Sequence, residues 1–143
     1  MSEEQNWVEH RYATEKSLRE NPPKVWNAVR AALQDACGSY KKHYHPSGGN
    51  LLCELENGVR VRIDLPRPLK MYHEPHHLSD PQIITSIVVE FDYEVPEIRW
   101  ADDKGSHRIK ISANEDKAFL AEGGAEVTAD QLSERILSRL LFT

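Results

Sequence analysis

Ile83-Ile84-Thr85-Ser86-Ile87-Val88-Val89-Glu90-Phe91-Asp92-Tyr93-Glu94-Val95 is a run of β-branched, aromatic and acidic side chains without glycine or proline. That composition reads as a β-strand. No apolar stripe recurs in it at the three- and four-residue spacing a helix needs. From Thr85 onward the odd positions Ile87, Val89, Phe91, Tyr93 and Val95 are apolar, and Glu90, Asp92 and Glu94 alternate with them. Period-two alternation sets the first group on a core and the acids in water. Ile84 and Val88 make the second face of the first half apolar too, which predicts a cover on both sides there, from a helix or a partner chain. At about 3.3 Å per residue the stretch would reach roughly 40 Å, longer than usual strands, so it is expected to bend or twist as the spine of a sheet.

Downstream the phase slips at Pro96, because Ile98 and Trp100 are apolar at even positions; a bulge there would restore one inner face. Asp102-Asp-Lys-Gly105 turns the chain back, pairing Ile98 with Ile109, Trp100 with His107 and Glu97 with Lys110, with Arg99 opposite Arg108 as the blemish. Asn114–Lys117 reads as a turn, Ala118–Ala121 as an edge strand and Glu122-Gly-Gly as a loop. Thr128-Ala-Asp-Gln131 is a capping box with Val127 and Leu132 as its staple. It opens a helix whose stripe is Leu132, Ile136, Leu137, Leu140 and Leu141. The apolar Leu140-Leu-Phe-Thr143 is expected to dock in the core or at an interface.

Upstream, Leu51–Asp64 forms a hairpin about Asn57-Gly58. A three-residue Glu56-Asn57-Gly58 loop pairs Leu55 with Val59, Cys53 with Val61 and Leu51 with Ile63, and sets Glu54 opposite Arg60. Leu65–Gln82 carries four of the eight prolines and is expected to be a long loop without regular structure, of the kind that serves function. Asn21-Pro22-Pro23 starts a helix with the stripe Val25, Val29, Ala32, Leu33 and Ala36, flanked by Trp26 and stopped by Gly38. Ser39–His45 is expected as a short strand. Residues 1–21 are a partly ordered arm or a short helix near Ala13–Glu20.

The fold class is therefore α+β, a bent antiparallel sheet of about five strands with an N-terminal and a C-terminal helix packed on one face, in a single domain over residues 1–143. A chain of 143 residues with 39% hydrophobic and 29% charged content is large enough for a real core. Its net charge of −5 argues against nucleic acid or an anionic membrane as partner. No secretory signal or membrane-spanning run is read, so the expected location is cytoplasmic. Cys37 and Cys53 have neither C-x-x-C nor framework spacing and suit a reducing compartment, with a Cys37–Cys53 disulfide as the weaker alternative.

Chemistry-bearing residues are few. His73, His76 and His77, in a loop with Glu74 and Asp80, could close on Zn²⁺ or Ni²⁺, though their spacing matches no zinc motif and Pro75 splays them. Without that metal no cofactor is expected. Glu90, Asp92 and Glu94 share a face, where the plain reading is a solvated surface opposite Arg or Lys. Trp26, Phe91, Tyr93 and Trp100 read as core, or as the lining of a small-ligand pocket between helix and sheet. No nucleophile elbow, activated cysteine motif or P-loop is present, so no catalytic residue is assigned. The expectation is a non-catalytic module binding a protein or peptide partner, or a second copy of itself. Its alternatives are a metal-dependent hydrolase on the histidine loop and a carrier of a small apolar ligand.

Overall fold

Among the described residues seven strands make one antiparallel sheet in chain order, each lying beside the one before it: β1 (Leu52–Glu56), β2 (Arg60–Pro68), β3 (Gln82–Asp92), β4 (Glu97–Asp102), β5 (Gly105–Ala113), β6 (Ala118–Glu122) and β7 (Ala125–Val127). Among the described residues three helices accompany it, α1 (Trp7–Glu20), α2 (Pro22–His43) and α3 (Ala129–Phe142). This is a computed structural model, and it describes residues 6–44, 50–68 and 82–142. The α+β class holds. The strand count rises from five because the expected spine is two strands and the Gly-Gly loop is a hairpin.

β3 ends at Asp92. Its Oδ1 accepts the backbone N–H groups of Glu94 and Val95, at 2.9 and 3.2 Å, and folds Tyr93–Pro96 into a turn that pairs Asp92 with Glu97. The chain reverses where a bulge was expected, and Tyr93 and Val95 are 64% and 57% exposed instead of core. The phase slip at Pro96 is a change of strand. Beyond it the β4–β5 register is the expected one, with Ile98 on Ile109, Trp100 on His107 and Arg99 on Arg108. The two guanidiniums are relieved as Arg99 pairs with Asp92 at 2.8 Å.

The β1–β2 loop has three residues, but they are Asn57-Gly58-Val59, so Glu56 pairs with Arg60, Leu55 with Val61 and Cys53 with Ile63. Asn57 and Gly58 both take positive φ, at 53° and 74°, which Asn and Gly tolerate best. The expected Glu54–Arg60 pair is replaced by Glu54–Arg62. Strand β2 also runs through Pro66 and Pro68, which were expected in an unstructured loop. The last β1 pair is Leu52 with Asp64, so among the described residues this end of β2 has a free edge where a missing N–H costs nothing. Gly123 and Gly124, at φ 59° and 82°, make the β6–β7 turn, so β6 is not an edge.

Helix α1 is capped by Asn6, whose Oδ1 accepts the Glu9 N–H. It starts six residues before the short helix expected near Ala13–Glu20 and is tied to the β5–β6 turn by a His10–Glu115 contact. Asn21 joins α1 to α2 in a helical conformation and donates its amide to Ser17 Oγ at 2.8 Å, so it is a junction and not a side-chain cap. The buried stripe of α2 is Pro22, Trp26, Val29, Leu33 and Cys37, which puts Trp26 in the middle of the face and Val25, Ala32 and Ala36 at its margin. Gly38 does not end the helix. It costs about 1 kcal/mol against Ala, and packing of Tyr40 on the core beyond it carries α2 to His43, so Ser39–His43 is helix where a strand was expected. In α3 the reciprocal Thr128–Gln131 bonds form at 2.9 and 3.1 Å, and all five expected stripe residues are buried. The core lies between these two stripes and the inner face of the sheet, where Val61, Val89 and Trp100 line up across β2, β3 and β4.

Candidate functional site

Helices α2 and α3 touch where both are narrow: Ser133 donates its hydroxyl to the Ala32 carbonyl at 3.3 Å. A groove of about 430 Å³ opens between them. Ala32, Ala36, Leu137 and Leu141 contribute apolar lining, and Tyr40, Tyr44 and Phe142 close one end. Tyr40 stacks on Tyr44 with ring centres 4.8 Å apart, and Phe142 stands edge-on to both at 5.8 and 5.5 Å. Asp35, Asp130 and Glu134 are exposed at the rim, and among the described residues no lysine or arginine lines the groove. Ala32 and Ala36 on α2 and Leu137 and Leu141 on α3 thus line an open, apolar, negatively edged trough. It was not expected from the sequence, because its walls come from stretches about a hundred residues apart.

The other face of the sheet is an ion-pair lattice. Glu90 pairs with Arg60 at 3.0 Å, and Asp64 with Arg62 at 3.1 Å. Asp92 is held below the usual carboxylate range by the Val95 and Glu94 backbone N–H groups and then by Arg99. Glu90 and Asp92 thus have structural partners on this face, and Glu94 is exposed in the β3–β4 turn. Ile84, at 60% exposed, has no cover among the described residues. Glu97 is buried beside this lattice, its Oε2 without a hydrogen-bond partner among the described residues and 3.8 Å from Arg99 Nε.

At the far end of β4, Asp102 and His107 form a pair at 3.1 Å, with the imidazole stacked 5.3 Å from Trp100. Partial burial opposes ionisation of Asp102, but hydrogen bonds from His107 and the Lys104 N–H outweigh it and hold the carboxyl below its ordinary value. An aspartate that orients an imidazole is half of a general-base arrangement. Asp102 also accepts the Lys104 N–H at 2.8 Å within the β4–β5 turn, so its geometry is accounted for by the hairpin.

His73, His76 and His77 lie outside the described residues, as do Glu74 and Asp80. Among the described residues no three histidine, cysteine or acidic side chains gather as a metal site. Trp26, Phe91 and Trp100 are buried in the core and Tyr93 is on the surface, so these four do not line a common pocket. A smaller depression of about 360 Å³ does lie between α2 and β6–β7, lined by Val25, Ala28, Phe119 and Val127. Among the described residues no helix is long and apolar enough to cross a membrane. No protein-family model, curated protein or solved structure matches this chain.

Proposed function

We propose that this protein is a non-catalytic module whose α2–α3 groove binds a protein partner through a basic amphipathic helix. The observation that carries the reading is the groove itself: apolar at the bottom, aromatic at one end and edged by Asp35, Asp130 and Glu134. A helix laid between two helices presents its apolar face at three- and four-residue spacing, and lysines or arginines on its flanks would meet the acidic rim. Tyr40 and Phe142 are the aromatic anchors such an interface concentrates its energy on.

The test is an amide-shift titration of the folded protein with a synthetic Leu/Lys amphipathic helix. The expected result is shifts concentrated at Ala36, Tyr40, Leu137 and Leu141, with binding weakened about tenfold by Phe142→Ala, the effect of removing one anchor. A Leu/Glu peptide of the same pattern should bind more weakly than the Leu/Lys one. Shifts spread evenly over the surface, or gathered elsewhere, would overturn the assignment of the groove. Light scattering on the free protein would reveal a dimer, and loss of that dimer in Phe142→Ala would make a second copy the occupant.

A further inference from the structure

Cys37 closes the buried stripe of α2 at 2% exposed, and Cys53 sits half-buried on β1 opposite Ile63. Both belong to the packing between helix and sheet, both are free thiols, and their side chains hydrogen-bond to each other. Lys41, one turn beyond Cys37, brings its positive charge to the pair. We infer that Cys37 and Cys53 form a redox-active dithiol, which a hydroperoxide converts to an intramolecular disulfide. The inference stands apart from the α2–α3 groove.

Unequal burial assigns the roles. Cys53 is the sulfur an oxidant can reach, since Cys37 is sealed beneath α2. The hydrogen bond from Cys37, and then Lys41, draw the Cys53 thiol below its ordinary value against the opposing effect of burial. The bond to Cys53, burial and the Cys53 charge push the Cys37 thiol far up, with Lys41 opposing. Cys53 therefore supplies the thiolate and Cys37 keeps its proton.

In the first step the Cys53 thiolate attacks the terminal oxygen of the hydroperoxide. An S–O bond forms, the O–O bond breaks, and the departing alkoxide takes up the proton that Cys53 had released. In the second step Cys37 attacks the sulfenic sulfur. The S–S bond forms, the S–O bond breaks, and hydroxide leaves with the Cys37 proton as water. Two thiols lose two hydrogens and two electrons, and the hydroperoxide becomes an alcohol and water. The two thiols already interact across the packing of α2 on β1, so the bond would tie these elements where they meet.

The experiment treats the reduced full chain with hydrogen peroxide under native conditions and follows thiol titre, intact mass and a non-reducing peptide map. The expected result is loss of both thiols together, a mass lower by two hydrogens, a Cys37–Cys53 cross-linked peptide, and recovery of both thiols with dithiothreitol. In Cys37→Ala, dimedone should label Cys53; in Cys53→Ser, Cys37 should stay unlabelled. Retention of both thiols, cross-links only between chains, or over-oxidation of Cys53 without a disulfide would each overturn the inference. The wild-type arms decide it even if a variant folds poorly.

Discussion

The indole Nε1 of Trp26 donates to the carbonyl of Gly58 at 2.7 Å, and the same ring stacks on Phe91 with centres 5.8 Å apart. One side chain on α2 thus fastens the helix to the β1–β2 turn and to the middle of the sheet. Trp26→Phe keeps most of the apolar area but leaves the Gly58 carbonyl without that donor, at an expected cost of about 1–3 kcal/mol. Trp26→Ala adds a cavity and should cost roughly 3–5 kcal/mol. Urea unfolding checks both through the midpoint at unchanged slope. A Phe variant as stable as the parent would mean that the hydrogen bond contributes nothing.

The α3 capping box gives a smaller and more local effect. Thr128→Ala removes the Oγ1 that accepts the Gln131 N–H, and should destabilise the fold by about 1 kcal/mol. Thr128→Ser keeps the acceptor and should stay close to the parent. Equal losses in the two variants would place the effect in the methyl group and not in the cap.

Much of the fold was legible because its hairpins match apolar with apolar. The β4–β5 register follows from Ile98 opposite Ile109 and Trp100 opposite His107. Alternation cannot, however, separate registers that differ by two positions. Leu55 finds an inner-face partner in Val59 or in Val61, and only the left-handed backbone of Asn57 and Gly58 selects the second. Nor can alternation see a strand end, since Tyr93 and Val95 continue the pattern after Asp92 has turned the chain. The α2–α3 groove was illegible for another reason: Ala36 and Leu141 meet only in the folded chain. The cysteine pair was partly legible, because Cys37 falls on the Trp26–Leu33 stripe and Cys53 on the inner face of β1. Their contact depends on where α2 crosses β1, which no local pattern records.

Asp92 makes a testable contribution at acid pH. Its folded carboxyl titrates below the ordinary value of 3.8, so it stabilises the fold at pH values above that range. This contribution is lost as the pH falls from about 3.8 through the lower folded value. Asp92→Asn retains an oxygen for the Glu94 and Val95 N–H groups while removing the charge. The parent should therefore be more stable than the variant at pH 7, and the difference should shrink as the pH falls through the folded carboxyl's lowered value. A difference that persists undiminished in acid would assign the effect to turn geometry.

The acidic rim of the α2–α3 groove predicts a salt dependence. Binding of the Leu/Lys helix should weaken as ionic strength rises from about 0.01 to 0.15 M, because exposed charges are screened over roughly 8 Å at the upper value. Glu134→Gln with Asp130→Asn should reduce that dependence and leave the apolar contacts with Leu137 and Leu141 in place. An unchanged salt response in the double variant would move the charge contact elsewhere.

A Cys37–Cys53 bond would close a loop of about fifteen residues and join α2 to the edge strand of the sheet. Loop-closure entropy alone gives about 3 kcal/mol for a ring of that size. For a chain of this length that corresponds to roughly 10 °C in Tm. Scanning calorimetry of the reduced and peroxide-treated protein should show the oxidised form melting higher, with dithiothreitol restoring the lower value. Cys53→Ser should show no such pair of transitions. If the oxidised form melts lower, the bond strains the packing of α2 on β1, and the reduced pair is the arrangement that the core is built to hold.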